Sequence, residues 1–138
     1  MKKRYSFCLI PGCFLCIHPG HIFLFEKAKE MCESLIVVLA HDKKIKEKYN
    51  IKDNTMKDRK KMLEAIKYID HVIEGYEKKE DFLKVLDLFP FDAIIFCKSH
   101  DIPKEVLDTL KNIKKDIDIV VLDCYKKEIF STRKVLDI

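Results

Sequence analysis

The sequence predicts an α/β fold, with a doubly wound parallel sheet of about five strands covered by helices. Three observations lead to this prediction. Short apolar runs without polar alternation recur along the chain, and such runs are typical of strands buried on both faces. Longer segments with the spacing of amphipathic helices lie between them. The two patterns alternate throughout, which calls for parallel strands joined by right-handed crossovers.

The first half of the chain begins with a predicted strand at Tyr5–Ile10, which Pro11 and Gly12 interrupt. A helix is expected to begin near Pro19, because proline fits the first helical turn. The next strand is predicted at Leu35–Ala40. A helical spacing of i, i+1, i+4, i+7 follows at Met62, Leu63, Ile66 and Ile69.

The second half continues the alternation. A weaker strand at Asp70–Ile73 ends at Gly75, and a helix over Lys79–Phe89 is closed by Pro90. Strands follow at Ala93–Cys97 and Asp118–Leu122. Between them Pro103 opens a helix whose apolar positions are Val106, Leu107, Leu110 and Ile113. No linker or repeat interrupts residues 1–138, so we expect a single Rossmann-like domain.

Composition excludes several classes of protein. With 48% hydrophobic and 36% charged residues the chain is predicted to be globular and not disordered. The net charge of +4 is mild, and the lysines are spread among acidic neighbours. Nucleic-acid binding is therefore not expected, because it favours a concentrated basic stripe. A small anionic substrate is compatible with this charge.

The location of the protein follows from its apolar segments and cysteines. The sequence contains no run of about 18 consecutive apolar residues, so no transmembrane helix is expected. The basic and apolar N-terminus is too short and lacks a cleavage site, so we do not interpret it as a signal peptide. Cys8, Cys32, Cys97 and Cys124 lie in apolar runs, as buried thiols do in reducing compartments. A cytoplasmic protein is expected.

The stretch GCFLCIHPGHIFLF contains Cys13, Cys16, His18 and His21 within nine residues. Two kinds of site fit these residue types. They could be ligands of a zinc ion, or His18 and His21 could bind phosphate where a strand turns into a helix. In a doubly wound sheet, ligands bind beyond the carboxyl ends of the strands. The stretch follows the first strand, which places it there.

The phosphate interpretation is favoured by the local pattern. Gly20 allows a ligand close to the backbone, and the N–H groups and dipole of the helix attract an anion. His18 and His21 are three residues apart and therefore share a helix face. A structural zinc site normally separates its ligand pairs by a dozen or so residues, whereas one residue separates Cys16 from His18. Packing is the favoured role of both cysteines, and simple helix capping by the histidines is a further alternative.

Four segments carry a family resemblance. GCFLCIHPGH resembles the G-x-F-D-x-x-H-x-G-H signature of the cytidylyltransferase-type nucleotidyltransferases, which include glycerol-3-phosphate, phosphocholine and phosphoethanolamine cytidylyltransferases, the heptose adenylyltransferase and archaeal FAD synthetases. ESLIVVLAHD resembles the family's second strand, which ends in an aspartate, here Asp42. DRKKMLEAIKYIDHVI contains the matching arginine, Arg59, and EIFSTRKVLDI contains the matching Ser131 and Thr132.

The resemblance implies a nucleotidyltransferase, most simply a cytidylyltransferase that transfers CMP from CTP to a phosphorylated small molecule, a precursor of a phospholipid head group, and releases pyrophosphate. An adenylyltransferase would use ATP instead. The resemblance also implies Mg²⁺ brought by the triphosphate, no protein metal site, and a homodimer. The implied catalytic residues are His18, His21, Lys44 and Arg59. By the resemblance, Lys44 and Lys46 are expected in a mobile loop after the second strand, and Arg59 is expected to clamp phosphate. The implied nucleotide-binding residues are Gly12, Cys13, Phe14, Gly20, Asp42, Lys46, Lys98, Asp101, Lys126, Ser131 and Thr132.

Departures from the family pattern keep three functions open. Leu15 stands where the signature has aspartate, and the segment IIFCKSHDIP lacks the glycine of the family's G-x-D, so that Asp101 matches only after a shift. Lys126 or Lys127 replaces an arginine near the C-terminus. Besides a cytidylyltransferase, the chain could be an adenylyltransferase such as an FAD synthetase or heptose-type enzyme, or a catalytically degenerate nucleotide-binding homologue.

Overall fold

The computed structural model describes residues 3–49, 56–75, 82–98, 104–113 and 116–123. Five strands form one parallel sheet in the order β3-β2-β1-β4-β5, which confirms the predicted fold class. The elements are β1 Tyr5–Gly12, α1 Pro19–Met31, β2 Cys32–Leu39, α2 Asp42–Tyr49, α3 Met56–Glu64, β3 His71–Glu74, α4 Phe82–Leu86, β4 Ala93–Cys97, α5 Lys104–Asn112 and β5 Asp118–Leu122.

The central strand β1 joins two halves of the sheet. Its register with β2 runs from Tyr5 beside Cys32 to Gly12 beside Leu39. Its register with β4 covers Cys8 beside Ala93 and the next pair along. From β1 the chain winds outward to β2 and β3 on one side and continues to β4 and β5 on the other. The carboxyl ends of β1 and β4 therefore mark the switch point at which such folds bind ligands.

Asp92, the residue before β4, reinforces the junction between β1 and β4 at the opposite edge. Its carboxylate accepts hydrogen bonds from the backbone N–H groups of Ser6 and Phe7, both at 2.9 Å. Its backbone carbonyl accepts a bond from Asp118 N–H at 3.0 Å. One residue thus ties together three neighbouring strands.

Side chains on the two faces of the sheet form two core clusters, because successive residues of a strand point to opposite faces. The first cluster includes Cys8, Ile10, Leu35, Val37, Ala93 and Ile95, with Leu24, Phe25 and Ala28 from α1 and Leu63 from α3. The second includes Leu9, Ile36, Val38, Ile94 and Phe96, with Val85 and Leu86 from α4 and Val106 from α5. Helices therefore cover both faces, as the continuous apolar runs predict.

Strand positions agree closely with the sequence. β4 and β5 have the predicted bounds, and α1 begins at the predicted proline. β1 continues two residues further than predicted, through Pro11 to Gly12. The helix predicted over Lys79–Phe89 is present as α4 and is followed by turns up to Pro90, with residues 76–81 outside the described part of the chain.

The helix predicted from the apolar spacing after residue 61 is shorter than expected. α3 ends at Glu64, and Ile66 and Ile69 lie in turns closed by i to i−3 bonds to Leu63 and Ile66. The chain has to reverse here to bring β3 beside β2, so tight turns replace helix. Ile66 and Ile69 still pack against the first core cluster, whereas Met62 is 61% exposed.

The segment after β2 was predicted as a loop containing Lys44 and Lys46, and this prediction is wrong. The segment is helix α2, which begins at Asp42. His41 Nδ1 accepts a hydrogen bond from Lys43 N–H at 3.2 Å, so the imidazole caps the helix. Asp42 adds an acidic side chain to the first turn, where it interacts favourably with the helix dipole.

Buried cysteines behave as packing residues. Cys8 and Cys32 are fully buried in the first core cluster. The hydrogen bond with Cys32, together with burial, raises the pKa of the Cys8 thiol far above its usual value, so Cys8 stays neutral.

In the described part of the chain, no helix combines the length and the hydropathy that crossing a bilayer requires.

Candidate active site

The turn between β1 and α1 lies at the switch point of the sheet. The carbonyl of Gly12 accepts a hydrogen bond from Ala40 N–H at 2.8 Å, which joins the carboxyl ends of β1 and β2. His18 is the N-cap of α1, with extended backbone angles of −138° and 170°. Pro19 occupies the first helical position, where its missing N–H costs nothing. The strand-to-helix turn predicted from the sequence is confirmed.

His18 and His21 form a reciprocal cap. The Nδ1 atom of His18 accepts a hydrogen bond from Gly20 N–H at 3.1 Å, and the Nδ1 atom of His21 accepts one from His18 N–H at 3.2 Å. The two imidazole rings stack, with centroids 3.8 Å apart and an angle of 29° between their planes. This is a capping box in which ring nitrogens replace the usual hydroxyl and carboxylate oxygens.

The reciprocal cap fixes the tautomer of both rings. An Nδ1 atom that accepts a hydrogen bond carries no proton, so each neutral imidazole has its proton on Nε2. His18 and His21 therefore both present an Nε2–H donor, while Nδ1 serves the backbone. Because His18 is only 9% exposed, its ring is held in one position. The candidate site therefore contains two stacked imidazole rings at the start of a helix.

Free backbone N–H groups were expected at the start of α1, whereas the described N–H groups there have partners within the helix end. Gly20 N–H donates to the His18 ring. The N–H groups of His21 and Ile22 both donate to the carbonyl of His18, at 2.9 and 3.3 Å, and Pro19 has none. The cap has used the donors that an anion would otherwise meet. What remains for an anion is the helix dipole and the imidazole rings.

Phe14 packs against one member of the histidine pair, His21. Its φ angle of 47° lies in the left-handed region, which costs a residue with a Cβ about 1 kcal/mol or more. In this conformation the Phe14 ring contacts the His21 ring edge-on, with centroids 5.3 Å apart, and the Phe25 ring, with centroids 5.4 Å apart. A Cβ at Gly12 would stand 2.7 Å from the same ring. Gly12 and Phe14 therefore act together to position His21.

Arg59 holds two loops of the site together. Its guanidinium is buried, with 3% of the residue exposed. It donates to the carbonyls of Cys13 and Ala40, both at 2.8 Å, and to the Asp42 carboxylate at 2.9 Å. Cys13 follows β1, whereas Ala40 and Asp42 follow β2. A planar fork with several donors suits this task, which lysine could not perform.

The contacts of Arg59 differ from the phosphate clamp that the resemblance implies. Both terminal nitrogens already bind protein oxygens, and Nε is buried without a hydrogen-bond partner. Asp42, expected among the nucleotide-binding residues, neutralises this guanidinium from the first turn of α2. Arg59, paired with Asp42, thus connects the chain segments that follow β1 and β2 and holds them together.

The remaining predicted residues divide into three groups. Lys46 is exposed on α2, the helix that also contains Lys44. Lys98 directly follows β4 at the switch point, is largely exposed, and lies 3.7 Å from the Asp123 carboxylate. The predicted Asp101, Lys126, Ser131 and Thr132 lie outside the described residues.

Leu15, Cys13 and Cys16 lie in the turn between β1 and α1. Leu15 is buried at 8% exposure, so the position of the missing aspartate is an apolar packing position. Cys13 and Cys16 are half-buried free thiols. Across the described ranges no group of three or more His, Cys, Asp or Glu side chains could hold a metal ion, so the described residues offer no zinc site.

Sequence reasoning missed the role of His41 and the carbonyl contacts of Arg59. A histidine directly before an aspartate and a charged helical segment was the available signal for the cap of α2. No local signal announces the Arg59 contacts, because they join residues 19 and 46 positions apart. Only the folded chain brings these groups together.

Comparison with known proteins identifies the family. Residues 9–136 match the family described as cytidylyltransferase-like, so the chain belongs to this family and is a nucleotidyltransferase. The FAD synthase of Pyrococcus horikoshii is 32% identical over 94% of this chain and 88% of its own length. That of Thermococcus sibiricus is 31% identical over 98% and 93%. The glycerol-3-phosphate cytidylyltransferase of Staphylococcus aureus is 40% identical over 65% and 66%.

Solved structures confirm the fold. A lipopolysaccharide core biosynthesis protein from Thermoplasma volcanium superposes with a TM-score of 0.77 at 22% identity, covering 88% of this chain and 99% of that one. A pantoate-beta-alanine ligase from Francisella tularensis gives a TM-score of 0.63 at 14% identity, covering 99% of this chain and 67% of that one. At these identities the likeness concerns the fold alone.

Proposed function

We propose that this member of the cytidylyltransferase-like family transfers AMP from ATP to the phosphate of flavin mononucleotide (FMN), forming FAD and releasing pyrophosphate. The observation that carries the reaction type is the stacked, reciprocally capped pair of His18 and His21 at the switch point. The choice of ATP and FMN is supported by FAD synthases that match over more than nine-tenths of the chain.

The reaction needs positioning and charge stabilisation more than proton transfer. A phosphate oxygen of FMN attacks the α-phosphorus of ATP, a new P–O bond forms, and the bond to the β-phosphate breaks with pyrophosphate leaving. The attacking phosphate is already anionic at neutral pH, so no general base is required. The chain has to hold both phosphates in line and stabilise the negative charge that builds on the α-phosphate.

The two imidazoles suit the second task. Their Nε2–H groups donate to phosphate oxygens, and the positive end of the α1 dipole adds to this field. Because Nδ1 of each ring is fixed by the cap, neither donor has to reorganise when the nucleotide binds. Preorganised donors of this kind stabilise a transition state more than mobile water does.

Other charged residues complete the proposed site. Lys44 and Lys46 on α2 and Lys98 after β4 supply positive charge for the triphosphate on the two sides of β1. Gly12, Cys13, Phe14 and Gly20 form the turn beside it. Asp101, Lys126, Ser131 and Thr132 keep the nucleotide-binding roles that the resemblance implies.

Mg²⁺ belongs to the substrate in this proposal. The described residues form no cage of carboxylates, and Asp42 is engaged by Arg59. Mg²⁺ commonly keeps its waters and binds nucleotide phosphates, so the chain's donor set fits an ion that arrives as MgATP. When bound, the ion neutralises part of the charge on the leaving pyrophosphate.

A second candidate is CMP transfer from CTP to glycerol 3-phosphate. The sequence by itself favoured a cytidylyltransferase, and the higher identity of the staphylococcal relative supports it over two-thirds of the chain. FMN is preferred as acceptor because the FAD synthases match over nearly the whole chain. A degenerate homologue is the third candidate, and the intact histidine pair argues against it.

The test is pyrophosphate release with MgATP or MgCTP and each of FMN, glycerol 3-phosphate and phosphocholine. Release with ATP and FMN alone, with FAD identified as product, is the expected result. Release with CTP and glycerol 3-phosphate would select the second candidate. Nucleotide binding, measured as a rise in melting temperature, without pyrophosphate from any pair would overturn the enzymatic proposal. Light scattering of the same sample tests the predicted homodimer.

A further inference from the structure

Gly75 directly follows β3, the strand at the edge of the sheet beside β2. Its backbone N–H donates a hydrogen bond of 2.8 Å to the carbonyl of Leu39, the last residue of β2. A Cβ atom at Gly75 would stand 2.1 Å from the same carbonyl oxygen. Cβ atoms in proteins essentially never come within 3.0 Å of a neighbouring heavy atom, so only glycine fits here without a displacement.

The requirement at Gly75 concerns space and not backbone conformation, because no glycine in the described ranges has a positive φ. The obstacle is a main-chain atom, which cannot rotate away as a side chain can. At Gly12, by contrast, an added Cβ would meet the ring of Phe14, at 2.7 Å. A side chain at position 75 therefore forces main chain to move, either β3 itself or the peptide between Leu39 and Ala40.

β3 is fixed at its other end and along its length. The residue before it, Asp70, donates its N–H to the Leu35 carbonyl at 2.9 Å, and its carboxylate accepts a bond from the Leu35 N–H at 2.7 Å. Val72, within the strand, is buried in the first core cluster. A Cβ at Gly75 would therefore act mainly on the carboxyl end of the strand pair, at Leu39.

The peptide that Gly75 contacts is bonded to the candidate active site. Ala40 N–H donates to the Gly12 carbonyl, and the Ala40 carbonyl accepts a bond from Arg59, both at 2.8 Å. Helix α2, which contains Lys44 and Lys46, begins two residues after Ala40. A series of main-chain contacts thus connects the edge strand to the turn between β1 and α1 and to the start of α2.

The carboxyl end of β1 is paired on this side of the sheet. Its register with β2 extends to Gly12 beside Leu39, whereas its register with β4 ends at Leu9 beside Ile94. The end of β2 is in turn paired with β3, with Leu39 beside Glu74. The position of the β1–α1 turn therefore depends on how closely β3 approaches β2.

We propose that Gly75 is a positioning residue for nucleotidyl transfer, because the absence of a side chain lets β3 close against Leu39 and so places Ala40 and the segments bonded to it. The role rests on the proposed function, since it concerns the placement of the same site. Gly75 acts through Ala40 and not on the substrates. A shift of about 1 Å, which would relieve the contact of an added Cβ, is enough at reacting groups to lower a rate about a hundredfold.

Gly75→Ala tests this role, with Val72→Ala as a matched control on the same strand. Both variants are expected to lower the melting temperature, the first by a clash and the second by a cavity, but only the first displaces Ala40. Binding of MgATP and of MgCTP is measured by calorimetry at a temperature at which both variants are folded, and turnover is measured by pyrophosphate release. We expect Gly75→Ala to weaken nucleotide binding about tenfold and to lower turnover about a hundredfold, with both values for Val72→Ala close to wild type.

Hydrogen exchange of the wild-type chain provides a measurement that does not depend on the folding of a variant. The amides of Gly75 and Asp70 donate comparable bonds to β2 from the two ends of β3. Coupling of the carboxyl end to the site predicts that saturating nucleotide slows the exchange of the Gly75 amide several-fold and leaves that of the Asp70 amide unchanged. An equal response at both ends, or none at Gly75, would overturn the coupling.

The outcomes separate the positioning role from the proposed reaction. Nucleotide binding and turnover by Gly75→Ala that equal those of Val72→Ala would overturn the role and leave nucleotidyl transfer intact. Weaker nucleotide binding by Gly75→Ala, without pyrophosphate release by the wild-type chain from any pair of substrates, would support the role and overturn the enzymatic proposal. A wild-type chain that binds neither nucleotide would overturn both. Where Gly75→Ala does not fold, the exchange of the Gly75 and Asp70 amides decides.

Discussion

Two helices begin at the carboxyl edge of the sheet with the same local device and different surroundings. α1 is capped by His18 and α2 by His41, and each Nδ1 accepts the N–H group two residues ahead, at 3.1 and 3.2 Å. His18 is buried and stacked on a second imidazole. His41 is partly exposed and precedes an aspartate.

The difference explains why the proposed phosphate site lies at α1 and not at α2. At α2 the first turn contains Asp42, whose carboxylate is bound to Arg59, so the chain itself satisfies the charge preference of that helix end. At α1 the first turn contains no acidic residue, and two imidazole donors stand where a negative charge is favoured. Capping is common to both helices, whereas the first turn of α1 lacks the acidic residue that the first turn of α2 contains, and a helix end of that kind favours an anion.

The histidines themselves provide the largest expected contrast. His18→Asn retains an acceptor suited to an N-cap but removes Nε2–H, and we expect turnover to fall about 10²- to 10³-fold with little change in melting temperature. His21→Ala is expected to lose turnover similarly. His41→Asn is the control and should retain near wild-type turnover. Comparable losses at His18 and His41 would erase the distinction between the two helices.

Arg59→Lys tests whether the two helix ends depend on one another. Lysine keeps the charge but leaves buried carbonyl groups without donors, so we expect a loss of about 2–4 kcal/mol in the free energy of unfolding. Displacement of both loops should also reduce turnover about tenfold or more. Denaturation and kinetics measure these effects, with Lys61→Met on the same helix as control. Normal stability with a raised KM for ATP would instead identify a direct phosphate contact.

Leu15→Asp restores the carboxylate of the family signature at a buried position. Burial of an unpaired carboxylate costs about 2 kcal/mol or more, so we expect a lower melting temperature and no gain in turnover. Leu15→Met, which conserves volume, should cost less than about 1.5 kcal/mol. A gain in turnover at unchanged stability would show that the site tolerates and uses the acidic group.

Cys16→Ser should have the smallest effect of the four. Cys16 is a half-buried free thiol, and such substitutions usually change stability by about 0.5 kcal/mol or less. We expect turnover within about twofold of wild type and no stoichiometric zinc by elemental analysis. Bound zinc that disappears with this variant would restore the metal interpretation of the loop.

Much of the fold could be predicted because its signals are local. Buried parallel strands are continuous apolar runs, and Pro19 marks the start of α1 by itself. The short α3 could not be predicted from periodicity, because Ile66 and Ile69 remain core residues after the helix has ended. The apolar spacing shows which residues are buried, but it does not show whether they are helical. The turns that end α3 depend on the position of β3, which the spacing does not reveal.

The site was predictable in its residues and less so in its contacts. His18 and His21 were identified from their spacing, and their shared helix face is confirmed by the stacked rings. Helix capping by these histidines was one of the alternatives drawn from the sequence, and the Nδ1 contacts with the backbone N–H groups confirm it. The sequence did not reveal the packing of Phe14 against His21 that accompanies the cap. Arg59 was expected to contact phosphate because its charge is evident from the sequence. Its burial, with 3% of the residue exposed, is evident only from the structure.

The junction between β1 and β4 also affects the order in which the chain folds. The register between β1 and β2 extends along the whole of β1, whereas that between β1 and β4 is confined to Cys8, Leu9 and their partners. Residues 5–75 bring β1, β2 and β3 together over modest sequence separations, and β4 joins them across a closure of more than 80 residues. Early formation of the first unit is expected, since long closures slow folding. Hydrogen exchange should then open β4 and β5 before β1 to β3, and the histidine pair, Phe14 and Arg59 would all be in place before β4 docks.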